Sequence, residues 1–241
     1  MHKIMTKLAL CFGVLILLGL TGTSARADIV FVGPSTDHPT GVGVVPTILS
    51  IQSPGSNTHE VGGVGYNGHA DFTTGDAIRG NTQTRSASEL GISGGNVALH
   101  FNINEPIGGG RSTVVVNNIT LNAYDSSGHV VFTASLAPAN RGITLTMLGN
   151  GQGTADYIFS LDAASAAQLS AALAANPNLR FGISADINQA QGGPEHFYLG
   201  AGSGPTAVPE PASMLLLGSG LAGLAAAARK RRKANKESNE Q

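Results

Sequence analysis

Residues 113–136 read TVVVNNITLNAYDSSGHVVFTASL, and the fold class is decided here. Val115, Asn117, Ile119, Leu121 and Ala123 recur at every second position, the period of a β-strand with two unlike faces. Asp125, Ser126, Ser127 and Gly128 follow as a turn cluster in which the glycine supplies a positive φ, and residues 129–136 make the return strand. The reading is an antiparallel hairpin, so the surrounding segments are tested first as further strands.

Upstream, Val97, Leu99, Phe101 and Ile103 alternate with Ala98, His100 and Asn102, which predicts a half-buried strand with the second set turned to the surface. Residues 29–32 open the domain with another short strand, and residues 42–51 suit an edge strand or bulge because Pro46 interrupts them. The run 61–66 is too rich in glycine to assign, and residues 67–95 read as a long loop or short helix. Downstream, residues 143–148 and 154–161 flank the glycine-rich stretch 149–153, which predicts a second hairpin.

One helix is expected over 162–175. Asp162 is a good N-cap, residues 163–175 are rich in helix formers, and Asn176-Pro177 ends the run. Leu169 and Leu173 fall on one face, which predicts packing across a sheet end. Residues 179–187 and 196–199 complete the strands. The sum is an all-β domain over 28–200: an antiparallel β-sandwich of about nine or ten strands with one short helix.

Both ends carry sorting signals. Lys3 and Lys7 precede an apolar run at 8–20, and Ala25-Arg26-Ala27 has the small-x-small form of a cleavage site. Residues 1–27 therefore read as a signal peptide, with cleavage between Ala27 and Asp28. Cys11 sits inside the apolar run behind Leu10, which does not fit a lipidation site. It is the sole cysteine, so the mature domain has neither disulfides nor thiolate zinc ligands.

At the other end, residues 201–207 form a flexible linker. Val208, Pro209, Glu210 and Pro211 follow, then the uncharged apolar stretch 212–228, then Arg229, Lys230, Arg231, Arg232 and Lys233, and a polar tail at 234–241. A helix over the apolar stretch would be roughly 25 Å long, a short single transmembrane span, with the basic block keeping its end cytoplasmic. Pro-Glu-Pro, apolar helix and basic cluster in this order over 208–233 resemble the PEP-CTERM sorting signal, whose carriers are substrates of exosortases. The tail reaches beyond the basic cluster, where such signals usually end. The resemblance implies recognition of the tripeptide by a membrane processing enzyme, removal of the tail, and a destination at the cell surface or in an exopolysaccharide matrix.

Between the signals the charge is one-sided. Residues 28–207 hold five arginines and no lysine against eight aspartates and four glutamates, a net charge of −7. Such a domain is ill-suited to neutralising phosphates, which argues against a nucleic-acid partner. Eleven aromatic residues follow Asp28, and tryptophan is absent, so the stacking platforms of a sugar-processing cleft are scarce.

Chemistry-bearing motifs are sparse. His59-Glu60 and His69-Ala70-Asp71 could each offer two metal ligands but have no metal-site spacing, and His38, His59, His69, His100, His129 and His196 read as surface residues. Calcium would need oxygen ligands from separate loops, such as Thr36-Asp37 or residues 186–188. The stretch 91–95 approaches Gly-x-Ser-x-Gly but precedes a strand, which makes it a turn. A carboxylate pair is spatial, so sequence alone leaves glycoside hydrolysis open. The expected function is a non-enzymatic structural or adhesive surface protein without a required cofactor. The alternative is an exopolysaccharide-binding module, assisted by calcium, and a secreted hydrolase comes third.

Overall fold

A computed structural model of the chain describes residues 27–35, 45–106, 111–148 and 157–202. Among the described residues there are twelve strands: β1 (Asp28–Pro34), β2 (Thr47–Ile51), β3 (Glu60–Tyr66), β4 (Asp71–Gly75), β5 (Arg85–Ser86), β6 (Val97–Asn102), β7 (Thr113–Tyr124), β8 (Val130–Leu136), β9 (Ile143–Thr146), β10 (Tyr157–Leu161), β11 (Arg180–Asn188) and β12 (Glu195–Ala201). The helix α1 spans Ala163–Ala175, and a 3-10 turn lies at Pro138–Asn140.

The hairpin that decides the fold forms as read. β7 and β8 pair antiparallel, with Leu121 opposite Ala134 and Ala123 opposite Phe132. In the turn, Gly128 takes φ +82°, and the Asp125 carboxylate accepts from the Ser127 and His129 amides. The facing of its first half differs from the sequence reading. Val114 and Val116 are buried while Val115 and Asn117 are not. Opposite β11 the register passes from Asn118↔Asp186 to Val116↔Ile187, so Asn117 is the extra residue of a β-bulge. One inserted residue moves every side chain before it to the other face.

The strands run β2-β12-β6-β10-β1-β8-β7-β11-β3-β4 in one continuous sheet, with β5 added to β11 and β9 to β7. The expected two-sheet sandwich of nine or ten strands is thus replaced by twelve strands in a single curled sheet. β1 makes the difference. It pairs antiparallel with β10 and, through Asp28 and Ile29, parallel with β8, so it joins two ladders that would otherwise separate. The curl is stitched where the chain leaves β4. Ile78 N–H donates to Ser50 O, Gln52 N–H to Asp76 O, and Gln83 N–H to Ile48 O, covering the outer edge of β2.

Two further expectations are corrected. β9 and β10 do not pair with one another: β9 continues the ladder along Thr113 to Val116 of β7, beyond the reach of β8, while β10 lies between β1 and β6. Residues 67–95, read as loop or helix, contain β4 and β5. The glycine-rich run 61–66 lies in β3, and its glycines answer to close packing. A Cβ at Gly62 would stand 2.7 Å from the Ala77 nitrogen, and one at Gly63 would stand 2.6 Å from the Ser184 Cβ.

Ile29, Leu99, Phe101, Phe159, Phe181, Ile183, Phe197 and Leu199 form the centre of the core. Phe101 and Phe197 stack across β6 and β12 with centroids 4.5 Å apart. Each buried phenylalanine contributes roughly 1.5–3 kcal/mol by area alone. Helix α1 begins as predicted: the Asp162 carboxylate accepts from the Ser165 amide at 2.7 Å, and Leu169 and Leu173 are buried. It packs on β8 and β10. Among the described residues no helix is long and apolar enough to cross a membrane, and the expected span 212–228 lies outside them.

Candidate functional site

The sequence-predicted site residues fall in two places. Val208, Pro209, Glu210 and Pro211, and the cluster Arg229, Lys230, Arg231, Arg232 and Lys233, lie outside the described residues, as do residues 1–26 and His38. Ala27 and Asp28 lie within them. Ala27 is buried, its carbonyl accepts from the Ser135 amide, and the Asp28 amide donates to Ser165 Oγ at 2.7 Å beside the start of α1.

The histidines divide. His59, His69 and His129 are exposed, as expected. His59 Nε2 lies 2.9 Å from Asp186 Oδ1, which also accepts from the Asn117 amide nitrogen. Asp71 turns toward Thr84 and Arg180, away from any shared partner with His69. His100 and His196 overturn the surface reading, because both are buried. They belong to the outer face of β6 and β12, where His100 stacks on Tyr198 at 4.4 Å. Among the described residues no group of three or more His, Cys, Asp or Glu side chains is arranged to hold a metal ion.

Ser50 on β2 and His196 on β12 are register partners, and Ser50 Oγ sits 2.7 Å from His196 Nδ1. The pair resembles a nucleophile and its base, but Ser50 has no exposed surface, and its hydroxyl also lies within reach of the Asn81 carbonyl. Burial lowers the His196 pKa, which keeps the imidazole neutral. A hydroxyl that no substrate can touch is a packing element here.

The densest electrostatic feature is an arrangement of glutamates. Glu60 at the start of β3, Glu105 just beyond β6 and Glu195 at the start of β12 come together, all buried. Glu195 takes the middle. Burial first, then the Glu60 and Glu105 carboxyls, push its pKa up to about 11. The outer two are held by backbone donors. Glu60 Oε1 accepts from the Ser53 amide at 3.0 Å, and both Glu105 oxygens accept from the Gln191 amide, at 2.8 and 2.9 Å. Their pKa values are also raised, chiefly by burial.

No local motif announces this cluster, since its members are scattered along the chain. The available signal is compositional: the domain has four glutamates, and three of them meet. Beside the cluster lies an open polar cleft of about 220 Å³, lined by Gln52, Ser56, Asn57, Thr58, Arg111 and Gln191 among others. That is smaller than the roughly 300–1,000 Å³ of most small-molecule pockets. A glycoside-cleaving pair needs two carboxyls facing one bond from about 5 Å apart or more. Glu195 has no exposed surface to offer a substrate.

Residues 207–232 match the family described as the PEP-CTERM protein-sorting motif, a limited segment near the C-terminus. No curated protein and no solved structure matches the chain. The motif marks an exported protein that an exosortase, a membrane processing enzyme, sorts as its substrate, with transient anchoring through the C-terminal region.

Proposed function

We propose that the exported domain is a non-enzymatic structural or adhesive component of the cell surface or extracellular matrix, released to its site by C-terminal processing. The observation that carries this reading is the match of residues 207–232 to the sorting motif. It is supported by an acidic, lysine-free domain whose best-placed serine, histidine and carboxyl groups are buried in packing roles. On this reading Val208, Pro209, Glu210 and Pro211 present the recognition element, residues 212–228 hold the chain in the membrane, and Arg229 to Lys233 keep the tail cytoplasmic. The export signal is removed between Ala27 and Asp28.

The test is the mass of the C-terminus recovered from the fractionated native host. Loss of the tail in the wild type, with retention in membranes of a Glu210→Ala variant, is the expected result. Recovery of an intact Gln241 end, unchanged by that substitution, overturns the reading.

The polar cleft favours a second reading, a binding module for matrix polysaccharide. Gln52, Asn57, Arg111 and Gln191 offer amide and guanidinium partners for sugar hydroxyls, with calcium as an assisting ion. Retention on the producer's own exopolysaccharide, compared with and without chelator, separates the readings. No retention in either condition removes the second.

A further inference from the structure

We infer that Ser165 and Asp162, at the start of α1, form a binding site for a primary ammonium: the α-amino group that removal of the export signal leaves on Asp28. The site rests on the proposed cleavage between Ala27 and Asp28, and it adds a place in the fold for the new terminus.

The receiving groups are already in position. The Asp28 nitrogen donates to Ser165 Oγ at 2.7 Å, and Ser165 has no exposed surface. The same hydroxyl gives its proton to Asp162 Oδ1, which leaves its lone pairs for the Asp28 nitrogen. One hydroxyl therefore stands between this nitrogen and a carboxylate. The Asp28 carbonyl accepts from the Asp162 amide at 3.1 Å, so both backbone groups of Asp28 are tied to the start of the helix.

Cleavage changes what the nitrogen is. Water adds across the Ala27–Asp28 peptide: its oxygen leaves on Ala27 as a carboxylate, and its two protons go to the Asp28 nitrogen. The Ala27 carbonyl, which accepts from the Ser135 amide, departs with the leader. An amide with one N–H becomes an ammonium with three, charged at neutral pH. One of the three keeps the bond to Ser165 Oγ, and the positive charge falls beside Asp162. The amide dipoles at the start of α1 oppose a cation. Asp162 answers them, since its carboxylate takes the Ser165 amide at 2.7 Å as well as the hydroxyl. The ammonium thus meets a carboxylate before it meets the helix end.

Other charges nearby are few. Besides Asp162, Asp28 brings its own side-chain carboxyl. α1 and β8 hold no ionisable side chain, and Tyr157, the only one on β10, stands opposite Pro34 at the far end of β1. Arg141, after the 3-10 turn, directs its Nε to the Leu136 carbonyl.

The sign follows from linkage. In the unfolded chain an α-amino group titrates at roughly 7.7–8.0, and beside a carboxylate it keeps its proton to higher pH. The stability the site supplies is fully present below the unfolded value. It is lost as pH rises through the folded one.

The experiment uses the mature protein recovered from the native host and reads the mass of its N-terminal peptide. Residues 28–207 hold no lysine, so within the domain an acetylating ester has only the α-amine to reach. At pH 7 the Asp28 amine should react about tenfold more slowly in the folded protein than in urea. Asp162→Asn keeps a good N-cap while removing the charge, and should speed the folded-state reaction about threefold. Equal rates in the folded protein and in urea overturn the site, as does a folded-state rate that Asp162→Asn leaves unchanged. A mature N-terminus other than Asp28 overturns the cleavage position and the site with it, so the peptide mass tells the two failures apart. Should Asp162→Asn not fold, two modified forms of the wild type decide. Acetylation keeps one N–H and removes the charge, and should lower the unfolding midpoint. Reductive dimethylation keeps one N–H and the charge, and should not. Equal midpoints overturn the site.

Discussion

At β2, β12 and β6 the sheet is covered on both sides, whereas at β8 and β4 its outer face carries Val130, Val131 and Phe72 into solvent. The closed end buries polar residues to achieve this: Ser50, His100, Asn102, Glu195 and His196 are all within it. On β4 and β8, polar residues such as Thr74 and Thr133 are exposed, and water satisfies them. Buried polar groups must find partners inside the protein, and each lost partner costs more than a surface contact. The closed end should therefore be the more sensitive to substitution, and four measurements on the full chain order the expectation.

The largest effect is expected from Phe101→Ala. This ring has no exposed surface and stacks on Phe197, so truncation leaves a cavity between β6 and β12. A loss of roughly 3–5 kcal/mol in denaturant unfolding is expected. A loss below about 1 kcal/mol would mean that the closed end repacks freely, contrary to the fully buried strands around it.

Next is the Ser50–His196 pair. Ser50→Ala strands the His196 ring nitrogen in a buried site and should cost about 1–3 kcal/mol. The pH dependence gives a second check. Burial lowers the His196 pKa, so its contribution to stability is present above the ordinary value of 6.5 and is lost as pH falls below it. The glutamate cluster slopes the other way, its contribution falling as pH rises. Replacing His196 with Phe should remove the acid-side loss and leave the alkaline-side loss in place. Loss of both slopes together would mean that the two sites are coupled through β12.

Third, Asp162→Ala removes the cap of α1, a local contact between the two ends of the sheet. About 1 kcal/mol is expected, read as a shift in unfolding midpoint. Retention of wild-type stability would show that the Asp28 amide and Ser165 hydroxyl hold the helix start without it.

The same contrast explains which parts of the molecule were legible in the sequence. The β7–β8 hairpin and α1 are local: a turn cluster at 125–128 and a cap at Asp162 carry their own instructions. The alternation of Val97 to Ile103 gave the strand but not its surroundings. Period two says that His100 and Asn102 share a face, and it is silent on whether another segment covers that face. The bulge at Asn117 was hidden for a similar reason, since it is defined by its partner strand. β1 could not be read as the strand joining two ladders, because pairing with β8 and β10 joins residues more than a hundred positions apart. The glutamate cluster is the extreme case, assembled from three strand ends. The sorting segment lies at the other extreme: its three parts are consecutive, and the family match covers 207–232.

The smallest expected effect tests the open end. Phe72 on edge strand β4 is 46% exposed, and its ring lies across Gly65 of β3, its register partner. A Cβ at Gly65 would stand only 2.4 Å from the ring, so the aromatic side chain takes the space a glycine leaves empty. Phe72→Thr puts a strand-favouring β-branched residue at the edge and loses only this cross-strand cover, which should cost about 0.2–1 kcal/mol. Chemical unfolding of this variant beside Phe101→Ala compares one aromatic residue from each end. A cost at Phe72 equal to that at Phe101 would mean that exposure does not distinguish the two ends. A cost several-fold smaller would place the stability of the sheet where β2, β12 and β6 bury both of their faces.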